Sequence, residues 1–279
     1  MKHSKPKYLF NNLDEVRSQL AHRERIGIFL DLDGTLAHIT RTPKMTRLKP
    51  QARRAIAALT RESRYLVSVV SGRSLNDLRS IVKDVNLVYA GNHGLEISGL
   101  GLEFVHEGAK DCIHLVQDVC VRLQSRLRPI PGVLVEFKGL TASVHFRLAP
   151  VALVDRVRAA VSEEIAAAGD TLHMTEGKRV LELRPAQAWN KGHAVRWIIE
   201  QLGCDASAAL YVGDDTTDED AFKVLPHSVT IKVGMDDPSS KARYYVKSPD
   251  GVLTFLQHLP GMITRDLPAL AERAAYGLR

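Results

Sequence analysis

Asp31 and Asp33 stand two residues apart in Asp31-Leu32-Asp33-Gly34-Thr35, at the end of the apolar run 26–32. In a parallel sheet the carboxyl end of such a strand faces the ligand crevice, so both carboxylates are delivered there together. Gly34 lets the chain turn sharply and bring backbone N–H groups close to an anion. Standing alone, the pair would also serve to cap the next element. A second run, 65–70, leads into Ser71-Gly72-Arg73, placing a hydroxyl, a flexible turn and a helix-start amide where a phosphate oxygen would sit. A helix cap accounts for Ser71 as well. Lys191, between Asn190 and Gly192 at the start of another helical segment, opposes the helix dipole and so argues for an anionic partner. Last, Gly213 opens into Asp214-Asp215-Thr216-Thr217-Asp218-Glu219-Asp220, five carboxylates in seven residues. These repel one another unless a hard, oxygen-seeking cation such as Mg²⁺ is present; helix capping by Asp218 is the other reading.

The elements that must hold these groups are short aliphatic runs alternating with longer segments of helical period, the pattern of βαβ units. Core strands are expected at 26–32, 65–70, 86–90, 209–213 and 229–233, each nearly continuous in apolar residues as befits strands covered on both faces. Helices are expected at 50–62, 74–82, 190–202, 218–224 and 250–258. Between about 98 and 186 the texture changes. Segments 102–107, 132–138, 141–148, 171–175 and 179–184 alternate apolar and polar residues, as antiparallel strands with one wet face do, and helices near 109–128 and 151–168 separate them. This predicts a small α+β unit inserted into the first, whose sheet resumes at 209.

Composition bounds the remaining possibilities. The 279 residues are 45% hydrophobic and 25% charged, with a formal charge of +6, which fits one large or two modest globular domains and excludes disorder and collagen-like repeats. No apolar run approaches the roughly 18–20 residues needed to span a bilayer, and the basic opening lacks a signal-peptide stretch, so a cytoplasmic protein without membrane association is expected. Cys112, Cys120 and Cys204 form no close pair; in a helix the first two would lie about 12 Å apart, beyond disulfide reach, which suits reduced thiols. Histidines lack zinc spacing, leaving carboxylates as the metal-binding groups. The basic excess is local: residues 41–73 hold nine Lys/Arg and one Glu. A solvated helix face and steering of an anionic substrate are its two readings, while the scarcity of interleaved aromatics argues against nucleic acid.

Together, D-x-D-G-T, S-G-R, N-K-G and G-D-D-x-T-D, in this order at strand ends, resemble the haloacid dehalogenase-like phosphohydrolase superfamily. The resemblance implies an α/β fold: a Rossmann-like parallel-sheet core (1–97 and 187–279) with an inserted α+β cap domain (98–186). It implies Asp31 as nucleophile, Asp33 as acid/base, and Ser71 and Lys191 as phosphate binders. Mg²⁺ would be held by Asp31, the Asp33 carbonyl and Asp214, with Asp215 and Asp218 in close support. A carboxylate nucleophile divides phosphate ester hydrolysis into two easier steps, and the acid/base residue protonates the departing oxygen, then activates water. With Asp33 present, a phosphatase is favoured over dehalogenase-type chemistry.

The insert resembles that of trehalose-6-phosphate phosphatases through Ala90-Gly91-Asn92-His93-Gly94-Leu95-Glu96, Glu136-Phe137-Lys138-Gly139-Leu140, His145-Phe146-Arg147, Gly177–Pro185, Trp189-Asn190-Lys191-Gly192 and Thr217–Phe222. The resemblance covers roughly 26–258. It implies that Glu136, Lys138, Lys178 and Glu182 grip sugar hydroxyls, with Arg73, Asn92 and His93 as further substrate-binding candidates. Alternation sets Glu136 and Lys138 on one strand face, although a solvated face would alternate in the same way. Other sugar phosphatases of this architecture, acting on sucrose phosphate or mannosyl phosphoglycerate, remain open, as does a catalytically silent sugar-phosphate-binding regulator. At this length no glycosyltransferase domain is expected, which leaves a separate trehalose-phosphate synthase as the candidate partner.

Overall fold

The fold is that of a computed structural model in which residues 5–84, 86–234 and 237–264 are described. The first six strands are β1 (Lys7–Tyr8), β2 (Ile26–Leu30), β3 (Tyr65–Val70), β4 (Val88–Gly91), β5 (Glu96–Gly99) and β6 (Leu102–Val105). A separate four-stranded antiparallel sheet then forms from β7 (Leu134–Phe137), β8 (Ala142–His145), β9 (Leu172–Gly177) and β10 (Val180–Pro185), in the order β7-β8-β10-β9. The chain returns through β11 (Ala209–Gly213), β12 (Val229–Val233) and β13 (Tyr244–Val246) to complete a nine-stranded sheet ordered β1-β13-β12-β11-β2-β3-β4-β5-β6. Its strands run parallel from β1 to β4, and β5 and β6 close that edge antiparallel.

Helices α1 (Leu13–Leu20), α2 (Pro50–Thr60) and α3 (Leu75–Val82) precede the smaller sheet, and α4 (Glu107–Lys110), α5 (Ile113–Leu127) and α6 (Val154–Ala167) accompany it. α7 (Lys191–Leu202), α8 (Glu219–Val224) and α9 (Pro249–Thr264) follow. Alternate residues of β2 point to opposite layers. Ile26, Ile28 and Leu30 pack with Ile56 and Leu59 of α2 and Phe255 and Leu259 of α9. Phe29 packs on the other face with Val195 and Ile198 of α7 and Phe222 of α8. Each such buried side chain contributes roughly 1.5–3 kcal/mol, which is why the central strands read as unbroken apolar runs.

The smaller sheet has a core of its own. Val116, Val119 and Leu123 of α5 and Val157 and Val161 of α6 cover Ala142, Val144, Leu181 and Leu183. The opposite face carries a register-aligned row, Glu136 against Ser143, Ser143 against Glu182, and Glu182 against Thr175, one residue from each strand.

Several expected boundaries shift. Segment 102–107 was expected in the inserted unit, yet β6 pairs with β5 and belongs to the larger sheet. The turn at Gly99, Leu100 and Gly101, all at positive φ, folds it back there. An antiparallel edge strand of either sheet has one wet face, so alternation does not distinguish them. The expected helix 109–128 is divided into α4 and α5, and 151–168 begins with a short helical turn at Val151–Leu153. Cys112, Cys120 and Cys204 carry free thiols. Among the described residues no helix is long and apolar enough to cross a membrane.

Candidate active site

β2 and β11 are neighbours at the centre of the sheet, but the chain leaves them in opposite directions, β2 toward β3 and β4, β11 toward β12 and β13. The carboxyl ends of two strands at such a switch point open a crevice. Asp31 follows β2 there, and Asp214 follows β11. Asp31 N–H donates to Val212 O at 2.9 Å, tying the two exits together.

Lys191 occupies the first turn of α7, whose cap is Asn190: its side chain accepts from His193 N–H. Lys191 Nζ donates to Asp31 Oδ1 at 2.8 Å and to Asp218 Oδ1 at 2.7 Å. All three side chains are almost fully buried. Burial works against the lysine's charge, but Asp218 and Asp31 hold its pKa well above the usual range. Burial likewise lifts Asp31 well above the usual carboxylate range, opposed by Lys191 and reinforced by Asp218 and Asp214. Asp218 stays low: burial would raise it, yet Lys191 outweighs that.

Asp31, Asp214 and Asp218 bring ligand oxygens within 4.8 Å of one another. Burial pushes Asp214 up to about 6 in spite of Lys178. Three buried carboxylates with only lysines for counter-charge, and oxygen donors alone, suit a hard divalent cation. The residues therefore fit Mg²⁺. Asp218, however, already accepts from Lys191, from Tyr211 OH at 2.7 Å and from Asp215 N–H at 2.9 Å, so it braces the site. Asp215 caps the Thr216–Asp218 turn, accepting from Thr216 N–H.

Ser71 is buried in the cleft wall and accepts from Arg73 N–H at 3.3 Å. The cap of α3 is Ser74 instead, whose side chain accepts from Asp77 N–H, so capping does not account for Ser71.

A cleft of about 190 Å³ lies between this floor and the polar face of the smaller sheet. Asp31, Asp33, Ser71, Arg73, His93, Glu136, Lys138, Lys178, Glu182, Lys191, Asp214 and Asp215 all line it. Two lysines cross it from above: Lys138 Nζ donates to Gly72 O at 2.6 Å, and Lys178 Nζ to Asp214 Oδ2 at 2.5 Å. Lys138 also lies 3.3 Å from Glu182 Oε1. Glu182 meets His93 Nε2 in a very short contact. Burial opposes Glu182's charge, but His93 and Lys138 hold it well below the usual range. His93, desolvated, falls to about 4. Among the described residues no lysine donates to Glu136; its partner is His145 Nε2 at 3.0 Å, which lowers its pKa.

Two substrate-binding expectations take a different place. Asn92 does not line the cleft: its amide donates to Glu96 Oε1 and Lys138 O and its Oδ1 accepts from Thr141 Oγ1. A buried amide must satisfy its polar atoms, and here they fasten the turn to the 138–141 hairpin. Asn92 and His93 both sit at positive φ, 49° and 59°, a conformation held by Asn92 N–H on Arg73 O and His93 N–H on Ser71 O. Arg73 reaches the cleft wall, but its guanidinium is committed to Asp33, Asp77, Thr46 and Pro43 O. Thr46 and Tyr211 carried no motif signal, whereas His145 stood in the His145-Phe146-Arg147 segment without a role assigned to it. Asp77, in the first turn of α3, was not among the candidate residues either.

Three of the nine basic residues in that stretch are spent on main-chain oxygens: Arg64 on Leu20, Ala21 and Arg23, Arg53 on Ile81, Arg47 on Lys44 and Thr46. Lys49 pairs with Asp250, and Arg41 lines the cleft mouth.

The sequence and the fold are similar to those of known proteins. The "Trehalose-phosphatase" family model matches residues 29–250. A trehalose-phosphate phosphatase of Mycobacterium tuberculosis is 36% identical over 253 residues, 88% of this chain and 63% of that protein. The chain thus spans less than two thirds of the length of the mycobacterial relatives it matches. The Candida albicans trehalose-6-phosphate phosphatase C-terminal domain superposes with a TM-score of 0.80 at 22% identity, covering 94% of this chain and 99% of the domain. A haloacid dehalogenase-like hydrolase from Bacteroides thetaiotaomicron gives 0.62 at 14% identity, covering 84% and 99%. The residues matched by the family model include both strand exits and the row of polar side chains facing them: the chain belongs to the trehalose-phosphatase family.

Proposed function

We propose that this protein hydrolyses trehalose 6-phosphate to trehalose and phosphate by way of a phosphorylated Asp31. The observation that carries the reading is the pairing of a buried Asp31–Lys191–Asp218 cluster with a polar sheet face across one cleft: chemistry below, sugar recognition above.

Lys191 engages Asp31 Oδ1, which leaves Oδ2 as the attacking oxygen. An Asp31 Oδ2–P bond forms, the P–O bond to the sugar breaks, and Asp33 gives its proton to the sugar oxygen. Asp33 then takes a proton from water as the new P–O bond forms and Asp31 is released. Lys191 neutralises charge that otherwise keeps an anionic nucleophile from a phosphate dianion, and Ser71 offers its hydroxyl to a phosphoryl oxygen. Asp31, the Asp33 carbonyl and Asp214 are the residues that would hold Mg²⁺, braced by Asp215 and Asp218. Bound there, the cation supplies Lewis-acid charge stabilisation to the phosphoryl group.

Glu136, Lys138 and Glu182 face the floor from the covering sheet and are suited to hydroxyl-rich sugar, with His93 fixing Glu182 from below. We assign the inserted unit to the segment after β6 up to about 186, and the core to the flanking segments. A separate synthase would supply the substrate.

The test is Mg²⁺-dependent phosphate release from a panel of trehalose 6-phosphate, sucrose 6-phosphate and mannosyl phosphoglycerate. Preference for the first supports the assignment. Preference for another moves the substrate, and no release from any member removes the catalytic reading.

A further inference from the structure

Asp33 is held from two separate segments. Arg73 Nε donates to its Oδ2 at 2.5 Å, and Arg73 Nη2 to its Oδ1 at 2.9 Å. Thr46 Oγ1 donates to the same Oδ1 at 3.1 Å and accepts from Arg73 Nη2 at 2.8 Å. Thr40 Oγ1 also lies 3.1 Å from Thr46 Oγ1; a hydroxyl has one hydrogen to give, and the Asp33 carboxyl is the stronger acceptor for it. Thr46 is 1% exposed, at the end of the turn Pro43–Met45 in the loop that joins β2 to α2. It belongs to none of the sequence motifs.

We propose that Thr46 is a positioning residue for proton transfer by Asp33. Arg73 is anchored at its far side by Asp77, so it fixes where the carboxyl sits. The Arg73 fork fixes the plane of the carboxyl through both oxygens, and the second donor on Oδ1, coming from a different loop, settles which oxygen carries the proton: Oδ1 accepts twice, so Oδ2 holds it. Orientation of this kind matters most in the first step, when the proton passes from Asp33 to the ester oxygen as the P–O bond breaks and the Asp31–P bond forms. The inference rests on the reading of Asp33 as the acid.

Thr46→Val keeps the branched shape and leaves both Arg73 contacts available; Thr46→Ser restores the hydroxyl. The readout is kcat/KM with two esters. Trehalose 6-phosphate has a sugar alkoxide leaving group that needs the proton, whereas p-nitrophenyl phosphate releases a phenolate that does not. Because kcat/KM covers the steps only through the first irreversible one, the later attack of water does not enter. Thr46→Val should lose about 5- to 50-fold with the sugar phosphate, chiefly in kcat, and stay within about 3-fold with the aryl phosphate. Thr46→Ser should remain within about 3-fold on both. If Val does not fold, Thr46→Ala carries the same expectation. Full activity of the Val variant, equal losses on the two esters, or failure of Ser to restore activity each overturn the proposal. Asp33→Asn tells the two ideas apart. If it shows the ester asymmetry and Thr46→Val does not, only the Thr46 role falls. If Asp33→Asn itself lacks the asymmetry, the acid reading falls with it.

Discussion

Lys191 donates to Asp31 across 160 positions of sequence, at 2.8 Å and out of contact with bulk water. The pair sets the energetics of the site, because neither charge would be tolerated there alone. Asp31→Asn preserves shape and an oxygen acceptor, and Lys191 keeps Asp218. That variant should remain folded, with its unfolding free energy changed by less than about 2 kcal/mol, while kcat falls at least about 10³-fold. Lys191→Met leaves two buried carboxylates uncompensated and should cost about 3–5 kcal/mol. Urea unfolding beside phosphate release measures both. Ordinary turnover by Asp31→Asn would remove it as the nucleophile.

Removal of divalent metal bears on Asp214. EDTA should abolish phosphate release and Mg²⁺ should restore it, since the donor set is carboxylate oxygen. Asp214→Ala should raise the Mg²⁺ concentration for half-maximal activity at least about 10-fold, or end activity altogether. Isothermal titration of Mg²⁺ into wild type and Asp214→Ala provides a reading independent of turnover. Full activity in metal-free buffer contradicts the assignment.

How much of this could be read from the chain varies with the physical origin of each feature. The floor of the cleft was legible because strand exits concentrate chemistry: D-x-D, S-G-R and G-D-D follow continuous apolar runs, and parallel strands must end on one side. For Ser71 the chain left a helix cap as an equal reading, and the structure removes it, since the cap of α3 is Ser74. Thr46 stayed hidden because its partners, Asp33 and Arg73, are 13 and 27 residues away and no local period links them. The 102–107 strand was misplaced for a related reason: its alternation reports one wet face and says nothing about which sheet supplies the dry one.

His93 provides a pH test. Its folded-state pKa, lowered by burial to about 4 against 6.5 for an ordinary histidine, means that the unfolded chain binds the proton first as pH falls. The stability it contributes is present above pH 6.5 and is lost as pH falls toward 4. Between pH 7 and pH 5 the loss should be about 2 kcal/mol. Comparing urea unfolding of wild type and His93→Gln at both values reads the His93–Glu182 pair, because the variant lacks the histidine titration and takes from Glu182 one of the partners that lower it. An equal pH dependence in the two proteins would mean that His93 titrates normally.

The covering sheet makes the most demanding prediction, since its residues differ in what else they hold. Among the described residues Glu136 pairs with His145 alone, and it is one-third exposed. Lys138 is buried and reaches both Glu182 and the Gly72 carbonyl of the floor. If all three grip the sugar, kcat/KM for trehalose 6-phosphate should fall about 10- to 1,000-fold in Glu136→Gln, Lys138→Met and Glu182→Gln, or about 1.4–4 kcal/mol of transition-state stabilisation. The losses should not be alike in kind. Glu136→Gln should act mainly on KM, as a contact made equally in ground and transition states does. Lys138→Met should lower kcat as well, because it also severs the tie between the sheet and the turn that carries Ser71. Steady-state kinetics on the three variants decides the point. A Lys138→Met protein with unchanged kcat would show that its contact with Gly72 closes nothing of consequence, and would leave Lys138 as a sugar contact alone.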